Sequence, residues 1–468
     1  MTYLHKLYSS VANYAASWRE ADSRRLHRPA ASYEELLERF HLPLDEAAPA
    51  DQVIAELIEK AEPGLAAMTG PRFHGWVIGG SNPLGVAADW LTSSWGQNSA
   101  NYIATPSASA AETAAATALL ELLDLPRQSA VGFVTGATMA NFTCLAAARS
   151  EVLRRAGWDV EADGLFGAPP ITVILGAEAH STVFSALRYL GLGDKRLVRV
   201  DVDRNGAMLT DAFRAAIDKI AGPIIAIAQA GQINTGALDP FTEIAKASLV
   251  KNAWVHVDGA FGLWARAAPD RAQLAAGLDK CDSWAVDGHK WLQTPYDCGY
   301  AIVANRAAHK RAMHIAASYL PAADDGARHP ADFAPELSRR ARGFATWAII
   351  RHLGRAGIAD LISKHCAFAR RFAERLGEEP GVEVVNDVVL NQVVVRFGGD
   401  DELTRRTIAR IQSDGVCFVG GSEWRKQWVM RISVIGEATT EADVEKSCDA
   451  MIEAWRAIRA GNQLVGAP

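Results

Sequence analysis

The chain has 468 residues, of which 49% are hydrophobic and 22% are charged, and its formal net charge is −6. A chain of this length buries a large core and usually divides into two or three domains. The acidic balance argues against a nucleic-acid partner, because phosphate backbones are bound by basic surfaces.

The cysteines and the N-terminal segment indicate a cytoplasmic protein. The six cysteines are scattered, without a Cys-x-x-Cys pair or a nearby group of histidines, so we expect reduced thiols and no metal site. The N-terminal segment soon reaches Arg19, Glu20 and Asp22 and lacks the apolar core of a signal peptide. The uncharged stretch 91–111 is too polar to cross a membrane.

Helices are predicted before the first strand. Residues 33–40 and 52–61 have helical patterns, and we interpret residues 1–65 as an N-terminal helical arm. The Ala-rich run 108–118 carries Ser109 and Glu112 at capping-box spacing, which predicts a helix that begins there and ends near residue 125.

Residues 131–303 alternate between short apolar runs and helical patterns. The predicted strands are 131–135, 171–175, 197–202, 224–228, 254–258, 283–286 and 300–303. The predicted helices are 140–155, 181–189, 211–220 and 242–251. Apolar strands joined by helices indicate an α/β fold with a mostly parallel sheet, whose ligands bind at the carboxyl ends of the strands.

A small α+β domain is predicted after this sheet. Two helical stretches, 337–353 and 358–376, come first, and the elements that follow are predicted strands at 382–385, 388–397, 416–419 and 428–434 and helices at 402–411 and 441–459. We therefore expect the arm, a large domain at 66–335 and a small C-terminal domain at 336–468.

Two predicted strand ends carry the residues that bound pyridoxal 5′-phosphate (PLP) needs. Asp258 ends one apolar strand, and Lys290 follows the next one, thirty-two positions later. PLP needs a lysine to form a Schiff base and an anion to keep its pyridine nitrogen protonated. Either residue alone is more often a helix cap or a surface residue, so the prediction depends on the whole set.

A phosphate site is predicted where the first strand of the sheet turns into a helix. The main-chain N–H groups of Gly136, Ala137 and Thr138 would face an anion there, although an ordinary strand-to-helix turn has the same pattern. Thr294, just past the lysine, would add a hydroxyl group to the phosphate.

The two faces of the cofactor ring also have predicted neighbours. His180 follows the strand at 171–175 and would stack on one face, with Ala260 against the other. A lone loop histidine is more often solvated or a helix cap, and only the company of Asp258 and Lys290 favours the functional interpretation.

The chain resembles the group II PLP-dependent decarboxylases, the family of the aromatic-L-amino-acid, histidine and glutamate decarboxylases. The resemblance runs from about residue 71 to residue 431. Its motifs are Gly-Phe-Val-Thr-Gly-Ala-Thr-Met-Ala-Asn-Phe at 132–142, Glu-Ala-His-Ser at 178–181, Ala-Gly-Gln-Ile-Asn-Thr-Gly-Ala-Leu-Asp-Pro at 230–240, His-Val-Asp-Gly-Ala-Phe-Gly at 256–262, Asp-Gly-His-Lys-Trp at 287–291 and Pro-Glu-Leu-Ser-Arg-Arg-Ala-Arg at 335–342.

The resemblance implies fold type I of the PLP-dependent transferases, a homodimer with active sites at its interface, and decarboxylation of an L-amino acid to the amine. It makes Lys290 the Schiff-base lysine, Asp258 the partner of the pyridine nitrogen and His180 the stacking residue. The remaining positions it implies are phosphate contacts at Gly136, Ala137 and Asp287, a histidine beside the lysine at His289, and a substrate side-chain pocket near Phe73 and Trp76.

The sequence departs from the family pattern at four places. Gln229 replaces a usual threonine under the cofactor, Gln232-Ile233 replaces a Thr-Thr pair, and Met139 stands where the phosphate loop commonly has glutamate. These three changes would alter how the ring and the carboxylate are held without excluding the reaction.

The fourth departure concerns the product. Phe333 stands near the place where many relatives have a loop tyrosine thought to return a proton to the α-carbon. Aldehyde synthases of the family have phenylalanine there and release an aldehyde, ammonia and carbon dioxide while consuming oxygen. Tyr319 and His180 are other candidates for the proton donor.

Three alternatives to the decarboxylase stay open. They are an aldehyde synthase, another fold type I enzyme such as an aminotransferase or a β-eliminating lyase, and a PLP-binding protein without turnover. The substrate is not identified by the sequence, because Phe73, Trp76, Trp90 and Trp95 would suit an aromatic substrate but are also common core residue types.

Overall fold

The computed structural model describes residues 2–315 and 328–465. The chain forms two compact units. The larger unit comprises residues 81–370 and 386–392, and the smaller unit comprises residues 1–80, 371–385 and 393–468. The three-domain division stays a prediction, because a compact unit is defined by packing and not by independent folding.

Fourteen α-helices and eleven strands are found in the described ranges. The helices are α1 Tyr3–Glu20, α2 Tyr33–Arg39, α3 Ala50–Ala61, α4 Pro83–Trp95, α5 Pro106–Leu122, α6 Ala137–Arg155, α7 Val160–Asp163, α8 Ser181–Tyr189, α9 Thr210–Ile217, α10 Phe241–Val250, α11 Arg306–Met313, α12 Gly343–Gly377, α13 Asp401–Asp414 and α14 Glu441–Val465. The strands are β1 Ala130–Val134, β2 Thr172–Gly176, β3 Val198–Val200, β4 Ile224–Gln229, β5 Trp254–Asp258, β6 Ser283–Asp287, β7 Gly299–Val303, β8 Val382–Val384, β9 Gln392–Phe397, β10 Gly420–Trp424 and β11 Gln427–Ser433.

The larger unit is built around a seven-stranded, mostly parallel sheet. Its strand order is β1-β7-β6-β5-β4-β2-β3. Strand β7 is antiparallel to both of its neighbours, β1 and β6, whereas the other neighbouring pairs are parallel. The carboxyl ends of β1, β6, β5, β4 and β2 therefore meet at one edge of the sheet, where ligands of such sheets bind.

The central strands form because their side chains are buried on both faces. All residues of β1, β5, β6 and β7 are buried. Helix α6 buries thirteen of its nineteen residues and packs in the same hydrophobic cluster as β2, β4 and α8. This rigid layer fixes the positions of the strand ends.

The seven strands predicted for this sheet are confirmed, with ends shifted by at most two residues. The capping box expected at Ser109 and Glu112 is wrong, since α5 begins at Pro106 with Thr105 at its N-cap. Glu112 is instead buried and accepts two hydrogen bonds from the guanidinium group of Arg339, at 2.7 and 2.9 Å. The pattern was misleading because this glutamate serves a buried ion pair.

The smaller unit contains a four-stranded sheet of order β10-β11-β9-β8. The strand predicted at 416–419 is wrong. The strand of this region is β10, and Cys417 and Val419 are buried without belonging to any of the named strands. The break predicted between two helical stretches falls at Gly354, whose φ of 59° interrupts α12.

None of the helices in residues 2–315 and 328–465 is both long enough and apolar enough to cross a bilayer.

Candidate active site

The ends of β5 and β6 bring together the two acidic residues of the predicted site. In this parallel pair Asp258 lies opposite Ala285, two residues before Asp287. The main-chain N–H of Asp287 donates to the carbonyl oxygen of Ala260, at 2.9 Å. The turn after β5 is therefore joined to the end of β6, and the segment with Lys290 continues from that point.

Lys290 and His289 share the carboxylate of Asp287. The Lys290 Nζ lies 3.0 Å from Asp287 Oδ2, and the His289 Nε2 lies 3.4 Å from Oδ1. The His289 Nδ1 accepts a hydrogen bond from the main-chain N–H of Cys298, at 3.2 Å, so the ring proton lies on Nε2 and faces the carboxylate. Burial lowers the pKa of His289, which keeps the imidazole neutral beside the side chain of Lys290.

Asp258 is a buried carboxylate that receives little stabilisation from nearby hydrogen-bond donors. It is 4% exposed, and its hydrogen bond among the described residues comes from the main-chain N–H of Ala260, at 3.4 Å. Burial raises its pKa, and the electrostatic interactions with His180 and Lys290 act in the opposite direction. A buried carboxylate in this state would be stabilised by a cationic N–H group.

The N-terminus of α6 points its first amide at the same place. The main-chain N–H of Ala137 donates to Asp287 Oδ1, at 2.6 Å. A Cβ atom on Gly136 would lie 2.9 Å from His289 Cε1, so only glycine leaves room here. Thr138 is exposed in the first turn of α6.

Two further residues shape this end of the sheet. Thr294 is fully buried, and its main-chain N–H donates to the carbonyl oxygen of Gly288, at 3.2 Å. A Cβ atom on Gly299 would lie 2.6 Å from the Cα of Gly136. Sequence reasoning missed Gly299, because a glycine that opens a strand gives no signal of what packs against it.

His180 lies at the carboxyl side of β2, at the N-cap of α8. Its Nδ1 accepts from the main-chain N–H of Thr182, at 3.3 Å, and its own main-chain N–H donates to the side-chain oxygen of Gln229, at 3.1 Å. The main-chain N–H of Gln229 donates in turn to Asp239, at 2.7 Å. The departure at Gln229 therefore holds the loop that carries His180.

The departure at Gln232 also has a structural role. Its side-chain oxygen accepts hydrogen bonds from the main-chain N–H groups of Asn234 and Thr235, at 2.6 and 2.9 Å. Its side-chain amide donates to Glu178, at 3.0 Å. The side chain of this glutamine therefore helps to close the turn after β4, together with main-chain hydrogen bonds such as that from Gln232 to Ala237, at 2.8 Å. The departure at Met139 is a packing residue, because its half-buried side chain packs against the hydrophobic cluster that includes α6 and β2.

Phe333 is buried away from the described contacts of the site. It is 1% exposed, and its ring lies edge-on to His309 and 4.8 Å from the guanidinium carbons of Arg306 and Arg328. None of its contacts with described residues involves Lys290. Tyr319, the other loop candidate for a proton donor, lies outside the described residues.

Phe73 and Trp76 belong to the smaller unit, where they form an aromatic cluster with Phe418. The rings of Phe73 and Phe418 are stacked, with centroids 4.8 Å apart, and Trp76 lies 5.1 Å from Phe418. Phe73 is 2% exposed, but Trp76 is 55% exposed and has a positive φ of 53°. Of the two, Trp76 presents its ring to solvent.

The site residues of the larger unit fit PLP. Lys290 offers an amine, Asp258 a buried anion, and the N-terminus of α6 an anion-binding amide beside a glycine that leaves space. An aldehyde, a pyridine nitrogen and a phosphate group are the three features of PLP that these groups would bind.

Comparisons with known proteins agree with this geometry. A family model described as the pyridoxal-dependent decarboxylase conserved domain matches residues 35–397. The aromatic-L-amino-acid decarboxylase of Bacillus atrophaeus is 27% identical over 389 residues, covering 80% of this chain and 79% of the relative. The 4-hydroxyphenylacetaldehyde synthase of Rhodiola rosea is 25% identical over 426 residues, covering 87% and 84%. The crystal structure of the Oryza sativa protein named TDC with PLP and tryptamine has a TM-score of 0.89 at 22% identity, covering 97% and 98% of the two chains.

Proposed function

Because the chain belongs to the pyridoxal-dependent decarboxylase family, we propose that it removes the carboxyl group of an aromatic L-amino acid and releases the amine. The chain is a PLP-dependent carboxy-lyase, and the proposal concerns its substrate, its product and its residues. The observation that carries the residue assignment is the convergence of Asp258, Asp287 and Lys290 at the ends of two neighbouring strands.

Bound PLP supplies an electron sink, a protonated pyridine ring that takes up the electrons left on the α-carbon when carbon dioxide departs. Lys290 would hold the cofactor covalently, and the carboxylate of Asp287 keeps its amine at the strand end, at 3.0 Å. Asp258 would keep the proton on the pyridine nitrogen, because within the described part of the chain its buried carboxylate otherwise accepts one long hydrogen bond.

Two further contacts would orient the cofactor. The main-chain amides at the N-terminus of α6 would receive the phosphate, which would share this helix end with Asp287, while Gly136 leaves room for the ring of His289. His180, held by Gln229 through its main chain, would stack on the ring.

The amine is favoured over the aldehyde by the surroundings of Phe333. Its ring packs among His309, Arg306 and Arg328 and has no contact with Lys290 among the described residues. We therefore assign Phe333 a packing role within its own chain. The aldehyde product is kept as an outcome of the assay, since the relatives include aldehyde synthases.

The assay presents the PLP-loaded protein with each amino acid and measures carbon dioxide, ammonia and hydrogen peroxide together. We expect carbon dioxide and the amine from an aromatic amino acid, without ammonia. Lys290→Ala should abolish turnover, whereas Lys251→Ala, which removes a lysine bound to the main chain of Asp218 and Ile220, should leave it unchanged.

Two results would contradict the proposal. Ammonia and peroxide in amounts equal to carbon dioxide would make the protein an aldehyde synthase. No turnover of any amino acid by protein that binds PLP would make it a non-catalytic binding protein.

The protein is also proposed to be a cytoplasmic homodimer. Its six cysteines are buried and free, as in a reducing compartment. The first three helices expose large apolar side chains, as expected of a surface that a second copy covers, and these are Tyr3, Leu4, Tyr8, Leu37, Val53 and Leu57. Light scattering should give twice the mass of one chain, and the mass of a single chain would contradict the dimer.

A further inference from the structure

A chain of hydrogen bonds runs from the middle of the large sheet to His180. Six side chains take part, in the order Trp254, Ser283, His256, Asn141, Thr182 and His180. The first four are fully buried, at 0% exposure. Polar side chains at such depth must satisfy one another, because no water is available to them.

The inner half of this chain joins β5, β6 and α6. The indole Nε1 of Trp254 donates to Ser283 Oγ, at 2.9 Å, and Ser283 Oγ lies 2.9 Å from His256 Nδ1. The other ring nitrogen of His256, Nε2, lies 2.9 Å from the side-chain oxygen of Asn141. Burial lowers the pKa of His256 to about 3, so its ring is neutral and carries one proton.

The outer half joins α6 to α8. The side-chain amide of Asn141 donates to Thr182 Oγ1, at 3.4 Å, and Thr182 Oγ1 lies 2.8 Å from His180 Nδ1. The main-chain N–H of Thr182 also donates to His180 Nδ1, at 3.3 Å. His180 is thus reached by a side-chain hydroxyl and by a main-chain amide of the same residue.

Only one direction of donation satisfies every group. An indole nitrogen and a main-chain amide are donors only, so Trp254 and the amide of Thr182 fix the two ends. With the proton of His256 on Nε2, Ser283 donates to His256, Asn141 accepts from it, and Thr182 donates to His180. In the reverse direction, the Ser283 hydroxyl would have no acceptor among these six side chains. His180 Nδ1–H would then also face the main-chain N–H of Thr182, which is a second donor.

We propose that Asn141 and Thr182 are positioning residues that keep the proton of His180 on Nε2 and hold its ring in one orientation. The inference rests on the placement of His180 against the cofactor under the proposed function. A neutral imidazole with a fixed tautomer offers a single donor on the side away from Thr182, so it would meet a substrate oxygen in one protonation state.

Asparagine suits position 141 because one side chain must both accept and donate. Its oxygen takes the proton of His256, and its amide group donates to Thr182. An aspartate of the same shape can only accept when ionised, so it would turn the Thr182 hydroxyl toward itself. The Thr182 oxygen would then accept from His180 Nδ1, and the proton of His180 would move to that nitrogen.

The tautomer can be read without any turnover. Solid-state ¹⁵N NMR of the PLP-loaded protein labelled at its twelve histidines distinguishes protonated from unprotonated ring nitrogens, and subtracting a spectrum of His180→Gln identifies His180. We expect Nε2–H in the wild type. We expect a population of Nδ1–H in Asn141→Asp, and a return to Nε2–H in the double variant Asn141→Asp/Thr182→Val, which has no hydroxyl to reverse.

Kinetics supply the second readout. Asn141→Asp should lower kcat by roughly tenfold with little change in KM, the effect of one misdirected hydrogen bond, and the double variant should recover part of this loss. Thr143→Val is the matched control, since Thr143 lies on α6, is fully buried, and its hydroxyl makes no hydrogen bond within the described residues. It should keep the wild-type kcat.

Three results would overturn the inference. They are a wild-type His180 with its proton on Nδ1, an Asn141→Asp spectrum equal to the wild type, and a double variant equal to Asn141→Asp. The first needs only His180→Gln, for the assignment of His180, and so stands even if the variants at Asn141 and Thr182 do not fold. If the wild type turns over no amino acid, the proposed function fails, and the spectra still decide whether this chain sets the tautomer.

Discussion

Replacing each of the two buried aspartates by asparagine should change the stability of the PLP-free protein in opposite directions. Asp258 is 4% exposed, it has one hydrogen bond to the described residues, at 3.4 Å, and its burial raises its pKa. Asp287 is 2% exposed, but it accepts from the amide of Ala137 at 2.6 Å and pairs with Lys290 at 3.0 Å. The burial of the Asp258 carboxylate is therefore poorly offset by hydrogen bonds, whereas that of Asp287 is offset by a short hydrogen bond and an ion pair.

The magnitudes follow from these surroundings. An uncompensated buried polar group costs about 1–3 kcal/mol, so Asp258→Asn should raise the stability of the PLP-free protein by about 1–2 kcal/mol at neutral pH. Hydrogen bonds to charged groups contribute about 1.5–3 kcal/mol, so Asp287→Asn should lower stability by a similar amount. For a chain of this size, the corresponding changes in Tm are about 1–4 °C.

Thermal scans with and without PLP test this prediction. In the wild type, PLP at one hundred times its Kd should stabilise the fold by about 2.7 kcal/mol. In Asp258→Asn this gain should shrink, because the partner of the pyridine nitrogen is lost, and decarboxylation should fall with it. Two results would refute this reasoning. The first is an Asp258→Asn variant whose Tm without PLP falls as that of Asp287→Asn does. The second is a gain in Tm on adding PLP that is as large in Asp258→Asn as in the wild type.

Three further predictions concern the phosphate site, the loop phenylalanine and pH. Gly136→Ala should weaken PLP binding by about tenfold or more in absorption titrations, since its Cβ would lie 2.9 Å from His289; an unchanged Kd would contradict the phosphate assignment. Phe333→Tyr should leave the ratio of amine to aldehyde unchanged and lower stability by about 1–3 kcal/mol, because the hydroxyl enters a closed cluster; a change of product would reverse our interpretation of this residue. Burial holds the pKa of His74 at about 3 in the folded chain, against 6.5 for an ordinary histidine, so only the unfolded chain takes up this proton between these values. The wild type should therefore lose about 1.4 kcal/mol per pH unit more than His74→Gln as the pH falls below about 6.5, and parallel slopes in urea unfolding would disprove this.

The large sheet could be predicted from the sequence because its strands are buried on both faces. Runs such as 224–228 are apolar for their whole length, and each is followed by a turn of small and polar residues. The same pattern placed Asp258 and Lys290 at one sheet edge. Helix starts were harder, as Glu112 shows, because a glutamate in a buried ion pair looks like a capping residue until its partner is known.

The supporting residues of the site could not be predicted in the same way. Asn141 lies 41 and 115 residues from its partners Thr182 and His256, and Ser283 lies 29 and 27 residues from Trp254 and His256. Each is an ordinary residue type for its helix or strand. Gly299 matters because the main chain of Gly136 packs closely against it. Such roles depend on the folded geometry and leave no local pattern in the sequence.

The measurement that tests the central claim most directly is peptide mapping of the PLP-loaded protein after borohydride reduction. Trypsin cannot cut after a modified lysine, so we predict that the pyridoxyl group is found on one peptide, residues 281–306, with the uncut site at Lys290. Label on any other lysine, or a Lys290→Ala protein that kept both the bound cofactor and the release of carbon dioxide, would contradict the account.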